Sequence, residues 1–333
     1  WNDHAASTYK LSENLHPTVW TGDVAVSTIK HYEGEQPLFL KISFARPHSP
    51  YDPPQRILEM YENIEIPAPA EGEWSKHIGK DITDPKADSS AAFAQFSTEY
   101  VKNTRKHYYA AVTFIDEQVG RIVKALKEKG MYDNTIICFT SDHGDMMGDH
   151  HSWRKTYAYE GSAAIPMIIK TPKDVEGVHC RGKVIENPVE LRDILPTFLD
   201  AAGGETPEAM DGRSMLKLIK EENPQWRRWI DMEHATCYSE ENYWCALTDG
   251  KIKYIWFLRT GEEQLFDLVK DPHETVNQIT NRKYRKQTDE LRRAMAEHLS
   301  ERGDKWVKDG QLQKREKTLL YSPNYPSGLS TKK

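Results

Sequence analysis

The spacing of apolar residues divides the chain into two unlike parts. In the first, Leu38 to Phe44 (LFLKISF) predicts a buried strand, with a proline-rich loop from Arg46 to Pro54 at its end. Residues 62–98 show no period and contain Pro67, Pro69 and Pro85. Tyr108, Val112, Ile115, Val119, Ile122 and Leu126 then recur at threes and fours, which predicts a helix from about Thr98 to Lys129, stopped by Gly130. Thr135 to Thr140 (TIICFT) predicts a buried strand and Ile165 to Ile169 another. A helix is expected over Asp193 to Ala202, with Pro196 in its first turn and Gly203–Gly204 behind it. Strand alternating with helix predicts an α/β fold over residues 1–220, a mostly parallel sheet flanked by helices.

Beyond about residue 221 the period changes. Tyr243 to Thr248 and Lys251 to Phe257 flank Asp249–Gly250, a two-residue hairpin signal, and Gln264 to Leu268 predicts a third strand. Tyr284 to Leu299 is an amphipathic helix. Residues 221–310 therefore read as a small antiparallel α+β subdomain. Residues 311–333 read as a polar, poorly ordered tail with Pro323 and Pro326.

Composition narrows the function. A net charge of −6 gives no basic footprint for nucleic acid. No run of about 18 apolar residues exists to span a membrane, and no apolar leader is visible. The chain opens on Trp1 rather than Met, which is taken as a sign that an upstream segment is missing. None of Cys138, Cys180, Cys237 and Cys245 forms a CxxC pair, so a zinc cluster is not expected; disulfides and compartment stay open. The 10% aromatic content fits a carbohydrate- or aryl-handling protein, but a plain large core explains it more readily.

The chemistry concentrates after TIICFT. Ser141-Asp142-His143-Gly144-Asp145 puts an acid and an imidazole at the end of a buried strand, where a metal can be held if Gly144 lets the chain turn. For an Asp-His pair alone, a polar loop without a ligand is the preferred explanation. The sequence that follows shifts the balance: three histidines, three aspartates and two cations fall between Asp142 and Lys155. Lys155 suits an anionic substrate, neutralising oxygens as charge develops. His48, between Pro47 and Pro50, is placed to give a proton to a leaving group. His150 and His151 are candidates to reach the anion or the substrate alcohol. Glu233 and His234, which end the segment WIDMEH, are candidates to line the substrate pocket. Arg46 and Arg154 are candidates to bind acidic sugar groups, but a solvated role explains them more readily.

These motifs resemble the sulfatases of the alkaline-phosphatase superfamily. His48-Ser49-Pro50 matches that family's His-x-Pro, and Ser141-Asp142-His143-Gly144 its Ser-Asp-Asn/His-Gly. Trp153 to Pro166 (WRKTYAYEGSAAIP) is similar to the stretch that carries its lysine. ALTDGKIKYIWF, EEQLFDL and Asp271–Pro272 resemble its C-terminal subdomain. The resemblance implies an alkaline-phosphatase-like fold and hydrolysis of a sulfate ester of a carbohydrate or aryl alcohol. It implies Asp142 and His143 as metal ligands, and Lys155 and His48 on the sulfate, His48 being the proton donor. It further suggests an exported, periplasmic setting. The metal is calcium by resemblance; an imidazole ligand suits manganese or zinc as well.

Two departures qualify the resemblance. The family's nucleophile is a formylglycine made in a Cys/Ser-x-Pro/Ala-x-Arg motif, which no cysteine or serine here matches, and the paired aspartates near its first strand are not visible. The chain therefore reads as N-terminally truncated and inactive alone, within an active parent. His143 replaces the commoner Asn, a version shared with phosphonate and phosphodiester hydrolases, whose substrates are also singly charged tetrahedral anions. A non-catalytic anion-binding fragment is the third reading.

Overall fold

The computed structural model describes residues 3–316 except 176, 179, 180, 222, 223 and 236, so Cys180 and residues 317–333 of the expected tail lie outside the described residues. The long helix forms as its period predicts, over Thr98–Glu128 (α3). Ser97 Oγ caps it by accepting the Tyr100 N–H, and Gly130 ends it at φ +72°. Its buried row packs on Pro17–His31 (α1) through Ala25, Ile29, Ile122, Ala125 and Leu126. It meets Gln55–Glu59 (α2) through Ile57, Ala110 and Phe114. The α1 helix was not legible, because its buried positions Thr18, Gly22, Ala25 and Ile29 are mostly small. Gly22 lies close against Gln118, so the two helices approach where a larger residue would not fit.

The strand expected over Leu38 to Phe44 does not form among the described residues. Ile42 and Phe44 pack against the α1–α3 core, but no strand among the described residues offers a ladder, and Phe39 stays 74% exposed. Ile137–Thr140 (β1) pairs with Met167–Lys170 (β2), and the pairing is antiparallel, with Phe139 opposite Ile168. The alternation of strand and helix had pointed to parallel pairing. Between these two strands, however, the only α-helix is the four-residue Glu160–Ala163 (α4), too short for a parallel crossover. Ile194–Ala201 (α5) forms as expected, and Leu216–Lys220 (α6) follows.

The second part is a four-stranded antiparallel sheet in chain order: Ile230–His234 (β3), Trp244–Thr248 (β4), Ile252–Phe257 (β5) and Glu263–Asp267 (β6). Arg285–Ser300 (α7) covers one face, where Cys245, Leu247, Tyr254 and Leu265 meet Leu291, Met295 and Leu299. The opposite face carries Trp244, Ala246, Ile255 and Phe266, and these pack on Met146, Tyr157, Ala158 and Tyr159. The sheet is thus buried on both sides, which explains why β4 reads as a continuous apolar run. One of its faces is the floor beneath the polar loop after β1. Gln311–Leu312, read as the start of the tail, instead pairs with Val307–Lys308. No helix among the described residues is long and apolar enough to cross a membrane.

Candidate active site

The site begins where β1 ends. Gly144 donates its N–H to Ser162 O at 2.9 Å and sits so close to Gly161 that a Cβ would run into its carbonyl oxygen. This close approach turns the chain out of the strand and leaves Asp142 (85% exposed) and His143 (29%) at the surface of the turn. His143 Nδ1 lies 2.7 Å from Gly144 O and therefore carries the ring proton. That leaves Nε2 as a lone-pair donor 3.6 Å from Asp142 Oδ2. A backbone carbonyl fixing the tautomer is the support a metal-ligating histidine needs.

The chain then doubles back through a loop with an unusual concentration of left-handed residues: Met147, Gly148, His150, His151, Arg154 and Thr156, at φ between +48° and +87°. For the five that are not glycine, each such conformation costs about 1–2 kcal/mol and persists only where surroundings enforce it. Here they do. Asp145 Oδ1 accepts the N–H of Met147 (3.0 Å) and of Arg154 (2.9 Å). Arg105 grips Met147 O and the Asp149 carboxylate. Asn242 Nδ2 and Trp244 Nε1 both donate to Thr156 O, at 3.2 and 3.0 Å. Lys155 is held between two left-handed neighbours, Arg154 and Thr156.

From there Lys155 Nζ reaches His48 Nε2 at 2.9 Å, across 107 residues of sequence. His48 Nδ1 lies 3.1 Å from Ser49 O, so the ring proton sits on Nδ1 and Nε2 accepts from the ammonium. The His48 and His143 rings are 6.2 Å apart between centroids, edge to face. The His48 loop is braced by a two-point pair between Arg46 and Asp52, at 2.6 and 2.8 Å. Burial acts to raise the Asp52 carboxyl, but Arg46 and His16 hold it below its usual range. Three of the four residues assigned from the motifs thus converge: His48, Lys155 and His143, with Asp142 beside the last.

The other candidates are placed differently. His150 is buried, its Nε2 2.9 Å from His273 O and its ring against Trp74. Burial lowers its pKa, and it serves to hold the loop to the C-terminal part. His151 is within 3.4 Å of Glu71 and its backbone carbonyl accepts from Ala94. His234 stacks on Trp244, one ring removed from Thr156, while Glu233 points to the other face of β3 and pairs with Arg302 at 2.6 Å. No contact joins Glu233 to His48, Lys155 or His143 among the described residues. Arg46 and Arg154, expected in solvent, are 9% and 4% exposed. Asp145, Tyr51, Asn242 and Trp244 were not singled out from sequence; only Asp145, inside the polar run, carried a signal.

Among the described residues no group of three or more His, Cys, Asp or Glu side chains could hold a metal ion. Asp142 and His143 fit one as two donors, an exposed carboxylate and an imidazole nitrogen with the right tautomer, and a complete shell needs ligands from elsewhere.

Comparison with known proteins places the family and the fold. The sulfatase family profile matches residues 5–204, and that of the C-terminal part of N-sulphoglucosamine sulphohydrolase matches residues 148–301. An arylsulfatase of Clostridium perfringens is 38% identical over 319 residues, covering 94% of this chain and 64% of the relative. A choline-sulfatase of Rhizobium meliloti is 33% identical, covering 75% and 48%. Among solved structures, a phosphonate monoester hydrolase from Silicibacter pomeroyi superposes with a TM-score of 0.71 at 26% identity, covering 86% of this chain and 60% of that one. The chain therefore spans about two thirds or less of these proteins. Its fold, α/β with a small antiparallel C-terminal part, is the alkaline-phosphatase-like fold expected from the motifs.

Proposed function

Because the chain belongs to the sulfatase family, we propose that it carries the anion-holding and proton-donating part of a site that hydrolyses a sulfate ester of a small alcohol or glycan. The observation that carries this reading is the 2.9 Å approach of Lys155 Nζ to His48 Nε2 beside the Asp142–His143 pair. Two nitrogens converging on one point suit a singly charged tetrahedral anion, whose oxygens would take the ammonium proton now shared with the imidazole. His48, once protonated at Nε2, would pass that proton to the departing alcohol, with Ser49 O holding the ring in place through Nδ1. Asp142 and His143 would hold a divalent cation, calcium or a metal with more taste for nitrogen, which when bound neutralises sulfate charge.

We assign the nucleophile to no residue described here. Cys138 and Cys245 are free thiols with pKa values raised by burial, the opposite of activation. No cysteine stands in the formylglycine motif. On this reading the chain alone turns over no ester. A phosphonate or phosphate diester is the second reading, favoured by His143 and by the likeness to the phosphonate monoester hydrolase.

The test is hydrolysis of an aryl sulfate beside an aryl phosphodiester, by this chain and by a version extended at its N-terminus, with metals restored. Sulfate cleavage only by the extended form supports the first reading throughout. Cleavage of the diester alone replaces it with the second. Silence from both forms, with metal bound, makes the chain an anion-binding protein.

A further inference from the structure

We propose that Asp145 and Tyr51 are positioning residues that set the distance between the groups of the anion site, a proposal that rests on the reading of His48 and Lys155 just given. One carboxylate joins three segments, each of which carries one part of the site. Asp145 is two residues beyond His143. Its Oδ1 accepts the backbone N–H of Arg154, the residue next to Lys155, at 2.9 Å, and that of Met147 at 3.0 Å. Its Oδ2 accepts the hydroxyl of Tyr51, three residues after His48, at 3.2 Å. Tyr51 is 1% exposed and is anchored in turn by its carbonyl, which accepts the Ser7 N–H.

Beside the Lys155–His48 contact and the edge-to-face His48 and His143 rings, the Tyr51–Asp145 bond ties the His48 loop to the loop that carries Lys155. The loop that Asp145 spans is left-handed at Met147 and Arg154, so its shape depends on those two N–H groups being accepted. The Tyr51 hydroxyl joins the His48 loop to this carboxylate. A shift of either by about 1 Å would separate Nζ from Nε2 by more than a hydrogen bond allows, and misplacement of that size lowers performance by one to two orders of magnitude. Neither residue needs to touch the anion for this.

The experiment is titration of the full chain with inorganic sulfate, followed through the His48 ring-proton resonances, with melting temperature recorded for every variant. Tyr51→Phe and Asp145→Ala are expected to weaken sulfate binding about tenfold. Asp145→Asn, whose amide oxygen still accepts both N–H groups and whose NH2 can donate to the Tyr51 oxygen in a reversed bond, is expected to stay within about threefold of the wild type. In a Lys155→Ala background Tyr51→Phe is expected to add nothing, because there is no longer a partner to position. Unchanged sulfate affinity in Tyr51→Phe, beside a wild type that binds, overturns the positioning role alone. So does an equal loss with and without Lys155, which is the mark of a general structural effect. A wild type that does not bind sulfate overturns the anion-site reading and this proposal with it.

Discussion

Lys253 is fully buried in β5, yet its ammonium is not stranded. Nζ donates to Ala158 O at 2.7 Å and pairs with Glu274 at 2.8 Å and Glu160 at 2.7 Å. Glu274, also buried, accepts the Glu160 N–H with its second oxygen. The group thereby pins residues 158–160, just beyond Lys155, to the C-terminal sheet. Lys253→Met keeps most of the volume and removes the charge. It leaves the Glu274 carboxylate without its cation in a dry place, and breaking a buried pair in this way costs about 3–5 kcal/mol. At about 2–4 °C per kcal/mol for chains of this size, the melting temperature falls by roughly 10 °C. Burial already pushes the Glu274 carboxyl above its ordinary 4.5, and loss of Lys253 pushes it further. A carboxyl raised in the folded state binds extra proton there, so the deficit against wild type is smallest near pH 4.5 and grows as pH rises. Urea unfolding at pH 5 and pH 8 measures both statements. A cost under about 1 kcal/mol, or one equal at the two pH values, would refute the claim that an uncompensated Glu274 is the cause.

On the proposed function, Lys155→Ala is expected to abolish ester turnover in the N-terminally extended form while leaving the melting temperature within a few degrees; near-normal turnover with a large thermal loss would remove Lys155 from the site. Gly144→Ala sets a Cβ against the Gly161 carbonyl and should cost about 2 kcal/mol or more. Gly120→Ala, in open space in the middle of α3, should instead stabilise by roughly 0.8 kcal/mol, and paired urea curves compare the two. Burial lowers His4, whose Nε2 lies 2.6 Å from Ala91 O, from 6.5 to about 4. Its neutral form stabilises the fold above pH 6.5, and about 3 kcal/mol of that is lost as pH falls to 4. His4→Gln should flatten this part of the pH–stability curve, and an unchanged slope rules His4 out as its source. Asn242→Ala removes a clamp on the left-handed Thr156 and should lower stability by about 1–2 kcal/mol, read as a drop in urea midpoint.

Elements that hold themselves together were legible in the sequence. The α3 helix, the β4–β5 hairpin with Asp249–Gly250 and the α7 helix each declare a period or turn residue within a dozen positions, and each formed within a few residues of its expected limits. Elements that depend on a neighbour were not. Leu38 to Phe44 has the composition of a strand but no partner strand among the described residues, and composition does not report pairing. The small residues of α1 hide a helix whose stability comes from close contact with α3. Glu233 was judged by its place at the end of an apolar segment, whereas strand alternation sends it away from its neighbour His234.

The same division runs through the site. His48, His143 and Lys155 could be picked out because their own chemistry marks them. The residues that place them are a tyrosine in a proline-rich loop, an asparagine just before a strand, a tryptophan that opens that strand, and a lysine inside an apolar one. None differs in kind from an ordinary core residue, because their work is to accept or donate one bond in a particular place. Their importance follows from the loop after β1, whose five left-handed non-glycine residues cost in sum about 5–10 kcal/mol that no local sequence preference offsets. Contacts from α3, the His48 loop and the C-terminal sheet offset it instead, through Arg105, Tyr51, Asn242 and Trp244. It follows that the antiparallel sheet is part of what shapes the site. A version of this chain ending before β3 would keep His48, His143 and Lys155 in its sequence, but it would lose the Asn242 and Trp244 bonds that hold Thr156 beside Lys155.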